Sequence, residues 1–201
     1  MSYCTIAPGH PLHQPYHDNE YGYPVSDESA LFERLVLEIN QAGLSWLTIL
    51  RKRDRFRAAF DNFNVDRVAK YGARDRTRLM GDEGIIRNRL KIEAAITNAG
   101  RIQQLRASHS GFSQWLETNH ATEPPNDKAA WINLFKKTFV FTGNEITNEF
   151  LISTGYLPGA HDETCPIYKR IARLDPPWME LKTKMKTKAV RRSIVQPKGA
   201  T

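Results

Sequence analysis

The chain is predicted to fold as an all-α protein, and three observations carry that prediction. Apolar residues recur at helical spacing through nearly every segment of its 201 residues. Residues that start helices stand before those periodic stretches, and glycines follow several of them. No two-residue hairpin signal flanked by alternating apolar residues occurs, and no internal repeat is evident.

Taken in order, Ser26 is the first N-cap candidate, with Asp27 and Glu28 in the following turn, where a helix dipole favours acids. Leu31, Leu35, Ile39 and Ala42 then share one face, and Gly43 is the expected stop. Ser45 caps a second helix carrying Trp46, Ile49 and Leu50. Asn64 opens a short helix with Val65 and Val68 that closes near Gly72, and another ends at Leu79 and Met80 before Gly81 and Gly84. A long helix follows from Asn88, with Ile92, Ala95, Ile96, Ala99, Ile102 and Leu105 on its inner side. Further helices centre on Trp115, on Trp131 with Leu134 and Phe135, and on Ile146 with Phe150. His120 to Asn126, which contains Pro124 and Pro125, reads as a connection.

Apolar residues make up 40% of the chain and charged residues 25%, the balance of a soluble globular protein. No apolar run approaches the roughly 20 residues that span a bilayer, and Met1 to Thr5 lack the basic-then-apolar pattern of a secretion signal. A cytoplasmic location, with no membrane and no obligate protein partner, is therefore expected. The net charge of +7 is concentrated at one end: from Pro166 to Thr201, ten Lys/Arg face only Asp175 and Glu180. The expected organisation is one globular domain over 1–165 and a basic, mobile extension over 166–201. Such an arm holds polyanions without sequence preference or simply keeps the chain soluble, and charge alone does not separate the two.

Two cysteines and two histidines stand near opposite ends: Cys4 and His17, then His161 and Cys165. Two thiolates and two imidazoles make a complete tetrahedral zinc shell, and a full shell leaves no place for a reactive water. The expected metal is thus structural. His161 and Cys165 are four apart, which on a helical turn puts them on one face. A disulfide between the cysteines is the alternative, and a reducing compartment disfavours it.

Glu38 is the odd residue of the first good helix, seven after Leu31 and three after Leu35, on the apolar side. Spacing leaves two readings: an edge position whose head group reaches water, or a buried acid with a partner or a task. Its neighbours include Gln41, Ser45 and Trp46, and upstream lies Tyr16-His17-Asp18-Asn19-Glu20-Tyr21. Flat rings with one acid suit a flat, positively charged, nitrogen-rich ligand, although rings are also common core residues. The run Gly81-Asp82-Glu83-Gly84-Ile85-Ile86-Arg87-Asn88-Arg89 reads as a plain helix–helix turn or as a hairpin that grips a nucleic-acid backbone. In the second reading the amides opening the next helix suit a phosphate, and Arg87, Arg89 and Lys91 add positive charge.

Together these motifs resemble the DNA-3-methyladenine glycosylase I family of the helix-hairpin-helix glycosylases, over roughly Cys4 to Cys165. The likeness rests on Tyr16-His17-Asp18-Asn19-Glu20, Gln41-Ala42-Gly43-Leu44-Ser45-Trp46, Gly84-Ile85-Ile86-Arg87-Asn88-Arg89 and the His161/Cys165 pair. The resemblance implies hydrolysis of the N-glycosidic bond of 3-methyladenine in alkylated double-stranded DNA, during base-excision repair and without strand cleavage. It implies Glu38 as the pocket acid, Tyr16, Trp46 and Tyr21 as base-binding rings, and Gly84, Ile86, Arg87 and Asn88 at the DNA. It also implies one structural zinc on Cys4, His17, His161 and Cys165, and action at the nucleoid. Ile6 and Tyr21 depart from the family, which commonly has tryptophan at both places, and so imply weaker stacking on the base. They favour the alternative of a catalytically silent helix-hairpin-helix DNA-binding protein; a base-release assay separates the two.

Overall fold

The computed structural model describes residues 2–122 and 128–179. Among the described residues there are α-helices and one 3-10 turn but no strand, as the periodicity predicts. Two short helices, α1 (Tyr3–Ile6) and α2 (His13–Asn19), precede the central helix α3 (Glu28–Gln41). Next come α4 (Trp46–Ala59), the 3-10 turn Asp61–Phe63, α5 (Val65–Val68) and α6 (Ala73–Gly81). The long helix α7 (Arg89–His109) leads to α8 (Phe112–Thr122), α9 (Lys128–Thr138), α10 (Asn144–Ser153) and α11 (Pro166–Ala172).

Helix α3 is the hub, packed against α4, α7, α8 and α10. Every residue from Leu31 to Asn40 is buried, so the helix has no solvent face over that stretch. Its apolar residues join one core with Ile92, Ala95, Ile96, Ala99 and Ile102 of α7 and with Phe112, Trp115, Phe135, Phe139 and Phe150. A helix enclosed on all sides must find partners inside the protein for any polar group it carries. Glu33 finds Arg53 and Arg57, Arg34 finds Glu20 and the Tyr16 hydroxyl, and Asn40 donates to the Val36 carbonyl. Glu38 alone among them makes no hydrogen bond or ion pair with the described residues.

Most caps fall where the sequence puts them. Ser45 accepts from the Thr48 amide, Asn64 from Arg67 and Asn88 from Lys91. Gly43 follows the end of α3 at φ +82°, a conformation that costs glycine nothing. The first cap is Asp27 rather than Ser26, since its carboxylate accepts from the Ala30 amide at 2.8 Å. Ser26 stands one residue too early to reach the free amides of that turn.

Two other expectations need correction. Helix α8 runs on through His120 to Thr122, because Phe112, Leu116 and His120 share its buried face. The rest of the expected connection lies outside the described residues. Chain assigned to the mobile extension is also folded: Cys165 caps α11, Pro166 opens it, and Ile167 and Ile171 are buried. Beyond it Trp178 packs on Tyr168 with ring centres 5.6 Å apart, and its amide donates to the Gly155 carbonyl. Apolar side chains at helical spacing outweigh the positive charge there. The lysine-rich run from Lys182 lies outside the described residues.

Candidate active site and metal centre

The residues singled out for a pocket do converge. A cavity of about 180 Å³ is lined by Tyr16, Tyr21, Glu38 and Trp46, joined by Tyr3, Gln41 and Glu149. Helix α2 supplies Tyr16, the turn after it Tyr21, α3 Glu38 and Gln41, and the first residue of α4 Trp46. The rings form a cup: Tyr16 lies 5.1 Å from Trp46 and 5.7 Å from Tyr21 between centres, and Tyr3 meets Tyr21 edge-on at 5.2 Å. They flank an opening rather than sealing an interior.

Burial sets the electrostatics. Glu38 is 4% exposed, and its carboxyl is pushed up to about 8, first by desolvation and then by the Glu149 carboxylate, with Arg34 opposing. Burial likewise holds the hydroxyls of Tyr3, Tyr16 and Tyr21 well above the usual tyrosine range, so they remain neutral donors. Arg34 donates to the Tyr16 hydroxyl and fixes that ring. Arg34 is held by Glu20, which pairs twice with Arg53 of α4. Trp46 lines the cavity with its ring, while its indole N–H is buried and has no acceptor among the described residues. The pocket therefore presents one acid, Glu38, that has no hydrogen-bond or ion-pair partner among the described residues.

The four candidate ligands also meet. One donor atom each from Cys4, His17, His161 and Cys165 all lie within 4.8 Å of one another. His161 and Cys165 meet in a turn ahead of α11, not on a helix as expected, with Cys165 as its cap. The tautomers follow from the outer contacts. Nε2 of His161 stands 2.8 Å from the Tyr21 carbonyl, which can only accept, and Nδ1 of His17 stands 2.7 Å from the Asp18 carboxylate. Each ring spends its proton outward and turns its other, bare nitrogen inward. Those two nitrogens face each other at 3.1 Å, and three S–N distances are 3.6, 3.8 and 3.9 Å. A tetrahedral zinc with Zn–N about 2.0–2.1 Å and Zn–S about 2.3 Å implies edges of about 3.3 and 3.6 Å. Facing lone pairs at that distance repel unless a cation lies between them, so the donor set fits the metal. Both cysteines are free.

The hairpin residues occupy the link between α6 and α7. Asp82 accepts from the Gly84 amide at 2.7 Å, and Lys52 of α4 donates to the Glu83 carbonyl at 2.7 Å. A Cβ at Gly84 would lie 2.5 Å from Nε of Arg55, so the close approach of α4 favours glycine there. Arg87 and Arg89 are exposed, while Ile86 packs against the core. Asn88 spends its side chain on the α7 cap. Lys91 is not a surface charge as expected: it is buried and donates to the carbonyls of Asn40 and Ala42 at 2.9 and 2.7 Å, closing the end of α3.

Sequence reasoning missed Tyr3 and Glu149. Glu149 carries the signal that revealed Glu38, an acid three after Ile146 and next to Phe150 on a helix with an apolar face. Nothing but adjacency to Cys4 marks Tyr3. Ile6 is 47% exposed and does not line the cavity.

Comparison with known proteins agrees with this geometry. The family model described as methyladenine glycosylase matches residues 6–168. DNA-3-methyladenine glycosylase 1 of Escherichia coli K12 is 37% identical over 183 residues, covering 84% of this chain and 97% of the relative. A structure of 3-methyladenine DNA glycosylase I from Staphylococcus aureus, concerned with 3-methyladenine recognition, superposes with a TM-score of 0.73 at 31% identity. That match covers 82% of this chain and 95% of the other. A tyrosine-to-phenylalanine variant of 3-methyladenine DNA glycosylase I, solved in complex with 3-methyladenine, also gives 0.73 at 31% identity and covers 83% and 97%. An all-helical body with a ring-lined recess and a braced glycine hairpin is thus the architecture of a DNA glycosylase. The chain belongs to the methyladenine glycosylase family.

Proposed function

We propose that the protein excises 3-methyladenine from alkylated double-stranded DNA by hydrolysing the N-glycosidic bond, in base-excision repair. The observation that carries this reading is Glu38, a buried and unpaired carboxyl facing a cavity walled by Tyr16, Tyr21 and Trp46. An acid kept at about 8 by burial is mostly protonated at neutral pH when the pocket is empty. A cationic purine entering beside it favours the carboxylate, and the attraction then grows in a dry site. A neutral base gains nothing comparable, so recognition selects the alkylated cation. Methylation at N3 already makes the base a good leaving group, which leaves little need for acid catalysis. The rings stack on the extruded base, and the Glu38 charge also favours the electron-poor sugar that develops as the bond breaks.

The hairpin holds the DNA backbone through the Gly84 and Ile86 main chain, the Arg87 side chain and the amides that open α7 at Asn88. Cys4, His17, His161 and Cys165 would hold a structural zinc, which would clip the two ends of the fold together and, with all four places taken by protein, supply no reactive water. Release is monofunctional, since among the described residues no lysine lines the cavity and the amine of Lys91 is engaged by two carbonyls. The open cavity weighs against the silent DNA-binding alternative.

The test is release of free base from alkylated duplex by wild type and Glu38→Gln side by side. Wild type should release 3-methyladenine and leave strands intact until alkali is added. Loss of one preorganised charged contact should lower the variant's rate about 10²–10³-fold. Release by the variant within a few-fold of wild type would remove Glu38 from this role.

A further inference from the structure

Helix α10 brings a second acid to the base pocket. Glu149 lines the cavity beside Glu38, and the two carboxylates also flank the groove that leads outward past Gln41 and Ser45. The Tyr21 hydroxyl donates to Oε2 of Glu149 and the Asn148 amide donates to Oε1, each at 3.3 Å. Neither partner is charged, and among the described residues no Lys or Arg pairs with Glu149. Two acids facing one recess is an unfavourable arrangement of like charges, and the nearby Arg34 does not line the recess and is already held by Glu20. A positively charged ligand relieves it.

We propose that Glu149 is a second specificity-determining carboxylate of this pocket, and that with Glu38 it selects positively charged purines over neutral ones. The proposal rests on the glycosylase reading above and names how that site discriminates. Glu149 also orients a wall of the recess, because it anchors the hydroxyl of Tyr21 from across the fold. A neutral adenine leaves Glu38 in its protonated form, whereas a methylated, cationic purine favours its carboxylate. The groups facing Glu38 are Tyr3 of α1, Tyr16 of α2, Tyr21 after it, Arg34 of its own helix and Glu149 of α10. Burial holds the three tyrosines neutral, leaving Glu149 and Arg34 as its charged neighbours. The Glu149 charge opposes ionisation of Glu38.

The experiment compares wild type, Glu149→Gln and Tyr21→Phe in base release from alkylated duplex across pH 5–9. The lesion is a permanent cation in DNA, so a limb that rises with pH belongs to the protein. Glu149→Gln should lower kcat/KM about tenfold, the scale of one charge-assisted contact, chiefly through KM. With the opposing charge gone, its rising limb should move to lower pH by about half a unit or more. Tyr21→Phe keeps the charge, so its limb should stay in place even if its rate falls. An unmoved limb in Glu149→Gln, whether or not the rate drops, overturns the proposal, because a merely structural role lowers activity without shifting Glu38. Failure of wild type to release base would instead overturn the glycosylase reading. Quenching of the pocket indole by a permanently cationic methylated adeninium, with neutral 9-methyladenine as control, then decides Glu149 by itself. Weaker binding of the cation alone in Glu149→Gln supports the assignment, and equal binding rejects it.

Discussion

Glu38 sits between Leu37 and Ile39 on a helix with no solvent face there, and its position has a consequence for stability as well as for recognition. Its carboxyl titrates near 4.5 in the unfolded chain and is raised to about 8 in the fold by burial. Between those values the unfolded state binds fewer protons than the folded state, so stability falls as pH rises. The favourable contribution of the neutral acid is complete below about 4.5 and is gone above about 8. Glutamine has the shape of the neutral acid and does not titrate. Glu38→Gln should therefore match wild type near pH 4 and become the more stable protein toward pH 8, by on the order of a few kcal/mol. Thermal unfolding across that range checks it; parallel curves for the two proteins would show that Glu38 keeps its ordinary pKa. The same substitution that should lower activity should thus stabilise the fold, the pattern of a group retained for its task. Spacing put Glu38 on the apolar side but left an edge position open; it was legible through the rings and amide side chains near it in sequence and through the family resemblance. Lys91 was not: nothing in its neighbourhood along the chain shows that the end of α3 needs two donors there.

The hairpin between α6 and α7 is preset by the protein before any nucleic acid arrives. Asp82 holds the Gly84 amide, Lys52 holds the Glu83 carbonyl, and Asn88 caps the helix that follows. The turn therefore brings little ordering cost to a backbone contact. Arg87 remains exposed beside it, with Glu83 at 3.8 Å as a weak surface partner worth little to the fold. Arg87→Ala should leave the melting temperature unchanged and weaken duplex binding to the same extent for every sequence. If that guanidinium meets one phosphate, the slope of log affinity against log salt should become shallower by about 0.9. Titrations at several salt concentrations read this directly, and an unchanged slope would place Arg87 away from the backbone. Helices and most caps were legible because they depend on residues a turn or two apart, as Ser45, Asn64 and Asn88 do. Asp27 in place of Ser26 is a shift of one residue within the same turn, but features that depend on another element were not legible, which is why the folding of Ile167, Ile171 and Trp178 onto the body went unseen. Ile167 and Ile171 bury apolar surface in a cluster with Cys4 and Tyr23, far earlier in the chain, Trp178 packs on Tyr168, and local charge conceals all three.

At the scale of the whole molecule the proposed metal site joins chain separated by nearly the full length of the domain. Ser2 caps α1 and places Cys4, α2 carries His17, and the turn before α11 carries His161 and Cys165. The second sphere ties this site to the pocket: the Tyr21 carbonyl that fixes the His161 ring belongs to a residue whose own ring lines the cavity. Loss of the metal frees a loop of about 160 residues, which the chain-entropy estimate for cross-links values at about 5 kcal/mol. It also leaves the inward nitrogens of His17 and His161 facing each other at 3.1 Å with nothing between them. Purified protein should contain one zinc per chain. Stripping it with a strong chelator should lower the melting temperature by ten degrees or more, at about 2–4 °C per kcal/mol for a chain of this size. Cys4→Ser and Cys165→Ser should do the same without chelator. Base release at low temperature should persist in whatever fraction stays folded, since no ligand touches the recess. Absence of zinc from the purified protein, or a melting temperature indifferent to chelation, would remove the clip. Loss of release from stripped protein whose fold is intact would mean instead that the metal acts through Tyr21 on the pocket wall.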